Sequence, residues 1–301
     1  MTFLQIDLPA ISVAILAALT AALVGNLLIL RRQALMGDAL SHMVLPGIVT
    51  GYLISGHPKT WVTIACALVA GLFGAAVVTL IRKIGRLDMA TAMGVVLTAM
   101  FAAGVLMIET TGSAGVHLDV EHVLYGSIES VIWPHPMTWV DVLSPDGWGH
   151  LPEEIPFLAG TFAILSIVFL VTAKEITLVT FDPSFGITLG LPFWVTELAI
   201  NGAVAIAVVA AFDAAGSILV IAMLICPAAT ARLTTNRFSS QIWASLFFAT
   251  TAAIVGYGLA VWGAAALGAS SAVNAAGGIA CVAGLILGIA AVWRRWLQHS
   301  T

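Results

Sequence analysis

Long apolar stretches, each closed by a short polar cluster, follow one another along almost the whole chain. A helix needs about 20 apolar residues to cross the hydrocarbon of a bilayer. Stretches of that order fall near residues 10–30, 39–56, 60–81, 89–108, 156–173, 192–212, 214–231, 239–262 and 272–293. The pattern predicts an all-α, polytopic membrane helix bundle of about nine spans, in a single domain over residues 1–301. The second stretch is short, and the sixth and seventh are separated by almost nothing, so counts of eight to ten fit. Met1–Pro9 has no basic region of the signal-peptide kind, and the first stretch is expected to stay in the membrane.

Two segments depart from the apolar pattern. The longer, about 110–155, is rich in acids, histidines and tryptophans and holds no Lys or Arg. Within it Leu118–Val131 reads as a short amphipathic helix at the membrane surface, and the Pro- and Gly-rich remainder as an ordered loop. Tyr125, Trp133, Trp139 and Trp148 suit an interfacial position. The second segment, about 175–190, contains Asp182-Pro183-Ser184, a helix start with a capping acid and Pro at the first helical position, and Gly190 to end it.

Composition supports lipid as the main solvent. Hydrophobic residues make up 60% of the chain and charged residues 9%, against about 25% charged in a soluble domain. Eleven Lys and Arg without a large basic cluster exclude a nucleic-acid partner. Cys66, Cys226 and Cys281 have no paired spacing and read as small core residues. No G-x-x-x-x-G-K-[ST] run is present, so ATP is not expected to bind this chain through a P-loop. With the N-terminus outside, ten of the eleven basic residues fall on the cytoplasmic side, Lys59 being the exception. That arrangement puts segment 110–155 outside and 175–190 in the cytoplasm.

The candidate chemistry begins with Asp38 and His42. Four residues apart on a helix, they share one face within an apolar stretch. An ionisable group at membrane depth is costly and marks an ion path by default. A carboxylate oxygen with an imidazole nitrogen suits Zn or Mn. The plain alternative is that Asp38 caps the helix and His42 bonds a neighbouring backbone. Ser41 is an auxiliary polar candidate, and Pro46 cannot donate to the His42 carbonyl, which predicts a kink and a freed oxygen. Pro227 predicts a second kink by releasing the carbonyl of Met223.

Other acids are weaker candidates. Glu109 and Asp213 lie at outer span ends and read mainly as interface residues, with metal entry as the alternative. Glu197 sits one turn inside the sixth span, where a hydrogen bond to a neighbouring helix or to solvent is the simpler expectation and an auxiliary polar or metal-entry role the alternative. His117, Asp119, Glu121 and His122 form the densest external cluster, fit either to attract a cation or to meet a partner. Met89, Met93, Met100 and Met107 recur at helical spacing, which reads as packing before any soft-metal relay.

Three segments together resemble the membrane permeases of ABC-type zinc, manganese and iron importers. Gly37-Asp38-Ala39-Leu40-Ser41-His42 with Leu45-Pro46-Gly47 resembles their second-helix signature. Phe181-Asp182-Pro183 through Gly190, with Gly186 inside it, resembles their cytoplasmic coupling segment. Gly216-Ser217-Ile218-Leu219-Val220 through Pro227-Ala228-Ala229-Thr230-Ala231 resembles a late-helix signature. The resemblance implies a permease with no enzymatic activity of its own and no permanently bound cofactor, carrying a divalent metal. It implies a second copy of the chain, two cytoplasmic ATPase subunits that bind ATP, an external metal-binding protein and a prokaryotic inner membrane. Gly186 stands where such proteins commonly have Ala, which predicts a looser coupling helix, and segment Met137–Glu154 is longer than usual.

Two transport alternatives remain at this stage. A cobalamin- or siderophore-type permease shares the bundle but has no need of an acid and an imidazole at mid-path. A proton-coupled secondary transporter would use Asp38 and His42 as a relay.

Overall fold

The computed structural model describes residues 3–56, 61–111, 128–134, 138–139, 141, 148–190, 193–263 and 274–299. They form helices α1 (Asp7–Leu30), α2 (Leu35–Met43), α3 (Leu45–Ser55), α4 (Trp61–Gly85), α5 (Met89–Thr111), α6 (Glu154–Val171), α7 (Ala173–Phe181), α8 (Pro183–Thr188), α9 (Phe193–Thr234), α10 (Phe238–Gly258) and α11 (Ala275–His299). A single 3₁₀ turn, Ile128–Ser130, falls within the span of the expected surface helix, whose other residues before 128 lie outside the described set. Eight helices are long and apolar enough to cross a bilayer, α9 counting twice. The second predicted span is the short pair α2–α3, broken at Val44; with it the described count is nine.

α1 is the centre of the bundle. Its Ala-rich sequence is apolar almost all round, and Thr20–Leu28 are buried on every face, as expected of a helix segment that meets protein on all sides. Small residues let neighbours approach closely: a Cβ on Gly25 would collide with the backbone carbonyl of Leu224 in α9. Asn26 is fully buried, donating from Nδ2 to Ser245 Oγ at 2.6 Å and accepting from Gln241 Nε2 at 3.1 Å. That triad ties α1 to α10 near one end. Near the other, Tyr257 of α10 donates to Asp7 Oδ1 at 2.8 Å.

α9 is 42 residues long, about 63 Å if straight, twice the thickness of the hydrocarbon. It turns at Gly216, whose φ of 76° and ψ of 169° fall in a region open essentially to glycine alone. Two contacts show the turn. A Cβ on Gly37 would meet the Leu224 side chain, while Val44 clusters with Val209. Those α2 positions stand about 10 Å apart along the axis, whereas a straight α9 would hold its two residues about 22 Å apart. Pro227, expected to kink the seventh span, leaves its helical backbone uninterrupted. It removes one N–H, but its neighbours Met223 and Ala228 are fully buried and hold the helix in place.

Two smaller expectations also change. Cys281 is exposed on α11, where lipid is apolar enough to take a thiol. Trp133 is buried, its backbone N–H donating to the Gln5 carbonyl at 2.9 Å, whereas Trp139 and Trp148 are exposed.

Candidate functional site

The chain leaves α1 through Arg31 and Arg32, the latter at φ 57°, and the Gln33 N–H returns to the Leu28 carbonyl at 2.8 Å. α2 then starts beside the end of α1. Asp38 lies in its first turn and His42 in its last, so the acid sits toward the positive end of the helix dipole and the imidazole toward the negative end. The break at Val44 follows from Pro46, which has no N–H for the His42 carbonyl.

His42 Nε2 stands 3.6 Å from Asp38 Oδ1. That is too long for a hydrogen bond. It is near the separation of about 3.4 Å kept by two ligands that each sit about 2.1 Å from one tetrahedral ion. The side chains are 28% and 40% exposed, and the imidazole meets Phe101 of α5 edge-on with centroids 5.7 Å apart. The pair therefore opens sideways from α2, beside α5, on a face the described helices leave partly uncovered. Among the described residues no group of three or more His, Cys, Asp and Glu surrounds a common point. Ser41 is buried and turned to its own helix, donating to the Gly37 carbonyl at 2.9 Å.

The other candidates lie apart. Glu109 is exposed near the end of α5, eight residues or about 12 Å along the axis beyond Phe101. Asp213 belongs to α9 just before the Gly216 turn. His117, Asp119, Glu121 and His122 lie outside the described residues. Of the methionines, Met93 is buried, and Met100 faces Met43 across Gly74, where a Cβ would stand 2.8–2.9 Å from both sulfurs. Their role there is packing.

The coupling segment is built locally. Asp182 leaves helical angles (φ −139°, ψ 81°) and its Oδ1 accepts from the Phe185 N–H at 3.0 Å, capping α8. Gly190 follows at φ 80°. Gly186 is buried, and a Cβ there would stand 3.2 Å from Val179 Cγ2. A methyl at this position would press on the Val179 side chain of α7. Phe181, Phe185 and Leu189 remain exposed, an apolar set on a short segment between spans.

Glu197 has the partner that its position in the sixth span called for. It is 1% exposed and its Oε1 accepts from Arg82 Nη1 of α4. Its Oε2 has no partner, nor has either side-chain polar atom of Asn201 one turn further, which is fully buried. An unsatisfied buried polar atom costs about 1–3 kcal/mol. Arg31 lies within electrostatic range of both charges. Burial pulls its guanidinium below the ordinary value, the Glu197 carboxylate opposes this, and Arg82 adds to it. Neither arginine was legible as a partner of Glu197; an acid and an amide at i and i+4 in an apolar span were the available signal.

Residues 4–134 and 151–287 match the ABC 3 transport family. The chain belongs to that family. It is 34% identical over 252 residues to the manganese transport system membrane protein MntD of Bacillus subtilis, covering 84% of this chain and 82% of that protein. It is 31% identical over 247 residues to a probable iron transport system membrane protein of Haemophilus influenzae, covering 82% and 81%. The structure of PsaBC from Streptococcus pneumoniae in complex with Fab superposes with a TM-score of 0.74 at 26% identity, covering 97% of this chain and 94% of that one. The chain is thus a multi-pass membrane permease of the ABC 3 transport family, an all-α bundle whose work is transport and not catalysis.

Proposed function

We propose that this permease carries a divalent metal ion, Zn, Mn or Fe(II), inward across a prokaryotic inner membrane, in an assembly driven by ATP. The observation that carries the reading is the Asp38–His42 pair, set 3.6 Å apart on a partly open face of the bundle. Half-exposed to lipid, such a pair would be costly; covered by a second copy of the chain, it becomes half of a four-ligand station on a central path. Two ligands per copy hold an ion weakly enough to release it. Relatives named for manganese and iron transport support the cargo class.

The remaining parts follow from topology. The N-terminus lies outside and the C-terminus in the cytoplasm, by the distribution of Lys and Arg. α8, with exposed Phe181, Phe185 and Leu189 around it, is the surface for one of two ATPase subunits. An external metal-binding protein docks on the opposite side. Asp38→Ala or His42→Ala, in proteoliposomes holding permease, ATPase and binding protein, is expected to bring ATP-dependent metal uptake to background while the ATPase still co-purifies. Undiminished uptake would defeat the assignment, and uptake that follows an imposed proton gradient without ATP would establish the relay reading instead.

A further inference from the structure

Among the described residues Glu197 and Arg82 form a buried ion pair that the metal station does not use, and its place in the fold is informative. Glu197 lies one turn inside α9, immediately after the coupling segment α8. Any displacement of α8 is delivered to that turn first. Beyond the ion pair formed with Arg82, the α4–α9 seam sets small residues against the facing helix, with Gly202 meeting Leu72. Gly71 faces Ala205, and Ala67 and Val209 enclose Val44. These residues bring the two helices close together, and the charged pair at the seam's end is a polar tie between them. Val44 is the break between α2 and α3, two residues from His42. A chain of packed positions therefore runs from Glu197, which follows α8 closely along the sequence, through the seam to the break beside the ion-carrying helix.

The cluster is also left incomplete. Glu197 uses one oxygen, Oε2 is without a partner, and Asn201 beside it on the same helix face has neither donor nor acceptor satisfied. Arg31, at the end of α1, is the second cation within range. A buried carboxylate bound through one oxygen only is held less firmly than a bidentate pair.

We propose that the buried Glu197–Arg82 ion pair is a latch, closed in the conformation seen here and opened when α4 and α9 part to release the ion. The inference rests on the transport reading above, and Glu197 acts as a positioning residue that does not touch the ion. The latch ties ATP use to ion movement: when it is lost, α8 still moves but the seam no longer follows in step.

The test uses the full assembly in proteoliposomes with Mn²⁺ as the probe. Glu197→Gln, which keeps the shape and removes the charge, is expected to lower uptake per ATP hydrolysed about tenfold, with Mn²⁺ binding to the permease unchanged. Arg82→Lys, which keeps the charge, should restore most of the ratio that Arg82→Gln loses. An unchanged ratio in Glu197→Gln overturns the proposal. Independently, in a chain freed of its three cysteines, Arg82→Cys with Glu197→Cys is expected to cross-link with a short bis-thiol reagent several-fold less in one nucleotide state than in the other. Equal yields in both states overturn the latch even if Glu197→Gln does not fold. Absence of Mn²⁺ uptake by the unaltered assembly would count against the transport reading, whereas the cross-linking yields report on the latch alone.

Discussion

At the scale of single residues, the bundle is governed by where a side chain is absent as much as by where one is present. Gly25 lets α1 lie against the Leu224 carbonyl, and backbone cannot step aside as a side-chain end can. Gly25→Ala is therefore expected to destabilise by about 1–3 kcal/mol through overpacking, read as a lower melting temperature of the purified permease in detergent. Gly94→Ala, with nothing within 4 Å of the new methyl, should be neutral or slightly stabilising by helix propensity. Equal behaviour of the two variants would contradict the close approach of α1 to α9. The charged residues obey the same logic of context. Asp38 and His42 were legible because their four-residue spacing needs only a helix to place them together. Arg82 and Glu197, 115 residues apart, were not, because only the antiparallel seam between two spans brings them into register.

At the scale of elements, end chemistry decides where helices begin and how they respond to acid. α5 starts after Asp88, whose Oδ2 accepts from the Thr91 N–H at 3.1 Å while Oδ1 accepts from the Thr91 hydroxyl. The Thr91 side-chain bond first, then the backbone bond, hold the Asp88 carboxyl below its usual range. A group so lowered contributes stability above its unfolded value and loses it as pH falls through the lower folded value. The Thr91 amide is thus expected to keep its protection from hydrogen exchange at mildly acidic pH and to lose it only below the ordinary aspartate range. Loss near neutrality would exclude the cap. α8 was legible to the residue, since Asp182, Pro183 and Gly190 each carry a local signal. The kinks were legible in part. The rule for proline anticipated the break beside Pro46, where two short helices part; at Pro227 the backbone keeps helical angles while the Met223 carbonyl loses its donor. The sharp turn at Gly216 was legible as a tight connection beside Asp213 between the sixth and seventh stretches, though not as a single glycine.

At the scale of the whole molecule, the arrangement of charge predicts orientation. With Cys66, Cys226 and Cys281 replaced by Ser, a cysteine introduced at exposed His150 should react with a membrane-impermeant thiol reagent on intact cells, and one at exposed Arg86 only after permeabilisation. The reverse pattern would invert the bundle and place α8 outside. The sequence-level count of spans was close because apolar length is a strong signal; the pairing of spans was not legible, since Asn26, Gln241 and Ser245 form their triad across most of the chain. The turn at Gly216 has a consequence for how the protein is made. With no hydrophilic connector to translocate separately, both arms of α9 must enter the bilayer as one hairpin, so a charge added beside the turn cannot invert one arm and leave the other. A side chain at residue 216 would disturb biogenesis of the sixth and seventh spans together, before any question of carriage arises.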